Sequence, residues 1–291
     1  MRWWATALLL VVLSGAGCLA RLKTIPAVPA RPLRAASPDE VLAAYEAYAN
    51  GNQTLSASGD LEVRDLRAGR ARKLGVRLVA SRGGKLYLKG SVAVVTAMEV
   101  VADGQRFWFQ VPSRKTVWTG LSGAAHRAES DGAPYYALRP SDVTSALLPD
   151  PLAPGPGDAV LFEADRDSFA LALAPQGARE TARRRVWLDR ETMRPSRLRR
   201  YDERGELVSE TQIGWQGDAP RRIQIDRPAE GYEAILDFDK VDRNVPVPAQ
   251  AFVPRTPAGY KVVEVSWEGL GGPKGTPSLL SERGIYSRAS E

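Results

Sequence analysis

Apolar and polar residues alternate one by one along most of this chain. Leu86 and Leu88 are interleaved with Lys85, Tyr87 and Lys89; Phe107, Phe109 and Val111 with Arg106, Trp108 and Gln110; Val186 and Leu188 with Arg185, Trp187 and Asp189. Phe169, Leu171 and Leu173 alternate with alanines, and Tyr232, Ala234, Leu236 and Phe238 share one parity. A period of two with one apolar face marks antiparallel strands covered on one side and wet on the other. Short, turn-rich links such as Ala102-Asp103-Gly104-Gln105, Asp202-Glu203-Arg204-Gly205 and Gln216-Gly217-Asp218-Ala219-Pro220 separate these runs, as hairpins require. The pattern predicts about ten to thirteen strands.

Helical spacing occurs in two places. Over 37–50, Ser37 can cap, Pro38 fits the first helical position, Asp39 and Glu40 suit the positive end of the dipole, Val41, Leu42, Tyr45 and Tyr48 follow, and Gly51 closes the segment. A shorter turn is expected over 141–149, with Ser141 as cap, Asp142 in the first turn and Pro149 as stop. So few helices beside so long a sheet imply a mainly β, α+β fold in which a strongly curved antiparallel sheet wraps around them. The Pro/Gly stretch from Pro151 to Gly157 reads as a loop, since neither half alone makes a complete helix-plus-sheet unit. One domain over 37–268 is therefore expected, with a Gly-, Pro- and Ser-rich, loosely attached tail at 269–291.

The ends of the chain add an address. Arg2, the apolar run Ala5–Leu13 and the small residues Ser14-Gly15-Ala16-Gly17 read as an export signal over 1–17, and the apolar run is about half of the roughly 20 residues a spanning helix needs. Residues 18–36 contain Pro26, Pro29 and Pro32 without periodicity and read as a tether.

Composition mainly removes options. The chain has one cysteine and one histidine, so no Cys/His zinc site or disulfide framework is available, and a Ser/His or Cys/His nucleophile would have to use His126, which sits in a small, polar, loop-like stretch. The formal charge of +6 is spread along the chain. Its tightest cluster, Arg183-Arg184-Arg185, lies within a strand without the interleaved aromatics of a base-stacking platform, so no nucleic-acid partner is expected. Asp237, Asp239, Asp242 and Asn244, and separately Glu163, Asp165 and Asp167, carry oxygen ligands at alternating spacing but lack a sharp-turn glycine and a closing glutamate, so they read as solvated strand faces and no metal is expected. No phosphate loop, nucleophile elbow or metalloprotease helix is present. The expectation is a binding protein, not an enzyme, without cofactor.

Leu13-Ser14-Gly15-Ala16-Gly17-Cys18 resembles a bacterial lipobox, with Gly15 where the pattern prefers leucine. The resemblance implies that Cys18 is the lipid attachment site, carrying palmitate-type acyl chains that anchor the protein to a membrane. Leu19 and Ala20, in place of an aspartate, imply sorting to the outer membrane, facing the periplasm.

Three stretches resemble the LolA/LolB superfamily of periplasmic lipoprotein carriers and outer-membrane lipoprotein receptors. They are Val101–Phe109, with an Asp-Gly turn before an aromatic strand; Val186–Asp189 through Thr192 and Pro195 to Tyr201-Asp202 and Gly205-Glu206-Leu207; and Asn244, Phe252, Pro254, Pro257 and Gly259. The match runs over roughly residues 50 to 265 and contains no catalytic motif. It implies an incomplete, half-open β barrel covered by a few helices. It further implies a hydrophobic cavity, lined here by Leu86, Leu88, Phe107, Phe109, Phe169, Leu171, Val186, Leu188, Leu236 and Phe238, that shelters the acyl chains of lipids or lipoproteins during lipoprotein or lipid transport. The rival expectation is a structural or assembly lipoprotein that grips an envelope protein partner and fills its core with its own side chains.

Overall fold

A computed structural model describes residues 34–122, 138–177 and 182–265. The leader, Cys18, the expected tether up to residue 33, His126 and the expected tail at 269–291 lie outside the described residues. Helix α1 spans Pro38–Gly51, and then come strands β1 (Thr54–Asp65), β2 (Arg70–Ser81), β3 (Lys85–Val92), β4 (Val95–Asp103), β5 (Arg106–Val111) and β6 (Thr116–Leu121). Helix α2 (Pro140–Leu147) precedes β7 (Asp158–Ala164), β8 (Ser168–Pro175), β9 (Arg184–Asp189), β10 (Pro195–Tyr201), β11 (Leu207–Gln216), β12 (Ala219–Arg227) and β13 (Tyr232–Arg243), and β14 (Lys261–Val265) comes last.

All strands join one strongly curved, unclosed sheet in the order β14-β6-β5-β4-β3-β2-β1-β13-β12-β11-β10-β9-β8-β7. Two antiparallel meanders, one from each half of the chain, meet at the β1–β13 seam, which runs from Leu55↔Arg243 to Asp65↔Tyr232. The stretch 151–157 is thus a loop between halves of one sheet, as the sequence implies. Among the described residues only β14 pairs in parallel, with β6. Curvature arises where the register slips, at Ser58/Gly59, Gly90/Ser91, Arg200/Tyr201 and Gly214/Trp215. An extra residue at such a bulge bends the strand and increases its twist. At Gly59 the seam is closed so tightly that a Cβ would lie 2.0 Å from the Asp237 carbonyl oxygen.

The inward parity builds the core. Leu86, Leu88, Phe107, Phe109, Val111, Phe169, Leu171, Val186, Leu188, Leu236 and Phe238 are all buried in one cluster with Val41, Tyr45 and Ala49 of α1 and Val143, Ala146 and Leu147 of α2. Each large side chain removed from water contributes about 1.5–3 kcal/mol. Strand β8 departs from the expected wet outer face: Ala170, Ala172 and Ala174 are buried as well. Their small side chains sit opposite Trp187 and Arg185 of β9 and Glu163 of β7, and these larger neighbours shield them.

Helix α1 starts as expected. Ser37 Oγ accepts from the Glu40 amide and Glu40 Oε2 accepts from the Ser37 amide, a reciprocal capping box. Its end differs, since Gly51 stays helical and the cap is Asn52 in extended geometry, donating from Nδ2 to the Tyr48 carbonyl at 2.6 Å. Ser37→Ala is expected to cost about 1 kcal/mol in urea denaturation. An unchanged midpoint would show the cap to be idle. Helix α2 is eight residues long and begins at Pro140, so Ser141 lies inside its first turn, and Arg139, at the cap position, makes no side-chain capping bond.

The family-like motifs prove to be turn closures. Asp103 Oδ1 accepts from the amides of Gln105 and Arg106, Asp189 Oδ1 from the Thr192 amide and hydroxyl, and Asp202 Oδ1 from the Arg204 and Glu206 amides. Gly104 takes φ +105 with its Cα against the Gly83 carbonyl, where a side chain would collide at 2.1 Å. Asn244, at φ 53, accepts from the Gln53 amide and donates to the Gly51 carbonyl, tying the end of β13 to the end of α1.

Candidate functional site: the concave wall and its helical cover

All ten residues expected to line an acyl cavity lie in the same buried cluster on the concave face, so the strands do bring them together. The helices occupy the space in front of them. Of the ten, only Val186 borders a cavity of about 250 Å³ between α2 and the sheet. This volume is below the roughly 300–1,000 Å³ of sites that enclose a whole small ligand.

The cover is held by polar bonds whose positions were not foreseen from the sequence. Asp142, on α2, and Arg227, at the end of β12, are 4% and 3% exposed and meet through Arg227 Nη1 at 2.9 and 3.1 Å from the two carboxylate oxygens. Tyr232, at the start of β13, donates its hydroxyl to Asp142 Oδ2 at 2.8 Å. Glu230 accepts from Arg227 and from Arg139, which precedes α2. An eight-residue helix is marginal alone. Its place against the sheet therefore depends on this buried network together with Val143, Ala146 and Leu147. One signal was present in the sequence: Arg227 continues the inward parity of Ile223 and Ile225, so a charge had to face the core there.

Helix α1 is fixed at its own end of the wall. Tyr45 donates its hydroxyl to the Asp150 carbonyl at 2.8 Å, Glu46 Oε1 accepts from the Leu152 amide, and the Tyr48 and Trp215 rings meet edge-on at 5.7 Å. Burial pushes the Tyr45 hydroxyl up to about 12, against the pull of the neighbouring Arg184. Tyr232 is driven well above the usual phenol range by burial and then by the Asp142 carboxylate. Burial alone would pull the Arg227 guanidinium down; Asp142 and Glu230 outweigh it and hold it above its ordinary value.

These shifts make the fold sensitive to alkali. The protonated Tyr45 contributes fully below its unfolded value of 10.0, and the contribution is lost as pH rises through its folded value of about 12. The loss for this group is on the order of 2–3 kcal/mol. Ultraviolet titration should therefore show Tyr45 and Tyr232 ionising late and together with unfolding. Complete tyrosinate formation near the ordinary phenol value in a folded protein would contradict their burial.

Outside the wall, the acidic residues expected on solvated faces engage basic neighbours. Asp237 binds Arg222, while Asp239 lies near Arg221, Asp242 near Lys240 and Glu163 beside Arg185. The outer face of β9 and β10 places Arg185, Arg197 and Arg199 over the Trp187 ring at 4.8, 5.5 and 5.2 Å. A shallow depression of about 430 Å³ lies on the convex side near Ser56, Arg77, Tyr87 and Lys240. The β3–β4 turn also escaped the sequence reading. It exposes Val92, Val94 and Val95 around Ala93 at φ 51, with Val94 97% exposed. Among the described residues no helix is long and apolar enough to cross a membrane.

No family model and no curated protein matches the sequence. Solved structures do resemble the fold. A DUF1329 family protein from Desulfovibrio piger is 16% identical, with a TM-score of 0.48, covering 72% of this chain and 94% of its own. A LolA superfamily protein from Nitrosomonas europaea is 12% identical, with a TM-score of 0.47 and coverages of 76% and 99%. A putative outer membrane lipoprotein-sorting protein domain from Vibrio parahaemolyticus is 13% identical, with a TM-score of 0.44 and coverages of 73% and 95%.

Proposed function

We propose that this chain is a membrane-anchored lipid- or lipoprotein-binding protein of the cell envelope, which shelters acyl chains against the concave wall of its half-barrel and leaves them chemically unchanged. One observation carries the reading: inward-facing residues from both meanders form a single continuous apolar wall, and α1, α2 and the segment after α2 are its cover. Such a wall binds hydrocarbon through burial alone, at about 25 cal/mol per Å². The arrangement described is closed. Admitting a chain requires α2 to swing away from the wall, and the buried Asp142–Arg227–Tyr232 cluster is the part that must open.

In this reading acylated Cys18 anchors the protein at the outer membrane, facing the periplasm, and the valine-rich β3–β4 turn supplies an apolar contact to a lipid surface or to cargo. Catalysis has no part in it.

Mass spectrometry of the native protein, taken from membranes with and without delipidation, tests both elements. Expected are an acylated Cys18 peptide and a non-covalently bound acyl lipid that delipidation removes. A protein that carries no lipid, and takes none up when offered fatty acid, would contradict the binding role.

A further inference from the structure

We infer that the cavity beneath α2 receives the anionic head of an amphiphile, a phosphate-type oxyanion, while the tail lies along the concave wall. The inference rests on the acyl-binding reading above and specifies the chemistry of the head.

Two arginines stand where the apolar wall ends. Arg184 continues the inward parity of Val186 and Leu188 on β9, and Arg200 that of Leu198 on β10, and both border the cavity. Arg184 is held by neutral acceptors: the Pro151 carbonyl at 3.0 Å, the Asp150 carbonyl at 2.7 Å and the Tyr45 hydroxyl at 3.3 Å. Arg200 is exposed at the rim, and its side chain makes no hydrogen bond or ion pair with the described residues. The other charges around the cavity are already matched. Arg185 and Arg199 engage Glu163 and Glu210, Asp142 engages Arg227, and Asp150 lies 3.9 Å from Arg82. The charge left without a counter-ion is positive.

Hydrogen-bond donors surround the same space. Ser209 and Thr211 of β11 are buried and line the cavity. Ser122, on the opposite side beyond β6, is 8% exposed, and its Oγ is buried without a partner. A buried hydroxyl left unpaired costs about 1–3 kcal/mol, a cost that a ligand oxygen would remove. An oxyanion offers several strong acceptors, and the guanidinium fork matches its geometry. Val186 and Leu198 share the lining, so the polar chamber opens directly onto the start of the greasy wall. A cavity of about 250 Å³ takes a head group, and the tail has to occupy wall that the cover vacates.

The test is calorimetric titration of the full-length, delipidated protein with three probes: dihexanoylphosphatidic acid, dihexanoylglycerol and inorganic phosphate. Arg200→Gln serves as the variant because this side chain is exposed and supports nothing in the fold. Phosphatidic acid should bind about tenfold or more tighter than the diacylglycerol of the same tails. Arg200→Gln should remove most of that difference and leave diacylglycerol binding unchanged. Equal affinity for the two lipids, or a phosphatidic acid affinity indifferent to Arg200→Gln, overturns the head-group site while the acyl-binding role stands. Inorganic phosphate binding as tightly as phosphatidic acid, with the same dependence on Arg200, reveals a free-anion site and overturns the amphiphile assignment. Binding of neither lipid sinks the acyl-binding reading, and this inference with it.

Discussion

Asp142→Ala is expected to lower the unfolding free energy by about 3–5 kcal/mol, because removing one partner of a buried pair leaves the other charged and unmatched. Here the stranded group is Arg227, 3% exposed, which would keep only Glu230, and the Tyr232 hydroxyl would lose its acceptor as well. The loss should concentrate at the cover, so amide exchange over α2 should rise by more than exchange over β1 and β13, which form the seam. Replacing both partners, Asp142→Leu with Arg227→Met, should recover most of the stability, since apolar groups of similar volume often substitute for a buried ion pair without loss. A single variant within about 0.5 kcal/mol of the parent, the usual range for surface substitutions, would mean that this pair does not hold α2.

Gly59→Val should produce a loss of similar size at the seam. A Cβ at this position would stand 2.0 Å from the Asp237 carbonyl oxygen and 2.8 Å from the Phe238 Cα, and both obstacles are backbone. Relief therefore requires moving β13 away from β1, the junction that joins the two meanders. Overpacking costs typically 1–3 kcal/mol, and about 3 or more is expected where main chain must shift. The control is Gly75→Val on the exposed face of β2, where the nearest atom to a new Cβ is 3.8 Å away and no loss is expected. A denaturation midpoint for Gly59→Val equal to that of Gly75→Val would show the seam to be loose.

The parity of the strands was plainly legible in the chain. Leu86/Leu88, Phe107/Phe109 and Val186/Leu188 announced which face turns inward, and turn-rich links such as Asp103-Gly104 and Asp202–Gly205 announced the turns, because both signals depend only on near neighbours in sequence. The α1 capping box was legible for the same reason. What the sequence hid depends on distant partners. Asp142 looked like a routine first-turn acid; only the approach of β12 and β13, some 85 to 90 residues later in the chain, makes it the centre of a buried cluster. Arg184 lay within a run of three arginines that local sequence does not tell apart, yet strand alternation sends Arg185 outward to Glu163 and Arg184 inward to Tyr45. The outer alanines of β8 are buried by tall neighbours on adjacent strands, which a single-strand pattern cannot reveal. Local spacing thus told which residues form the wall. How far the helices fill the space before it became visible only in three dimensions.

Photocrosslinking with a diazirine-bearing fatty acid, mapped by peptide mass spectrometry, asks most directly whether hydrocarbon reaches the concave wall. Adducts should fall on inward residues such as Leu88, Phe109, Leu188 and Phe238, disappear under excess unlabelled palmitate, and increase in Asp142→Ala, where the cover is loosened. Labelling confined to the convex face, or indifferent to competitor, would contradict the account and leave the wall as a filled core.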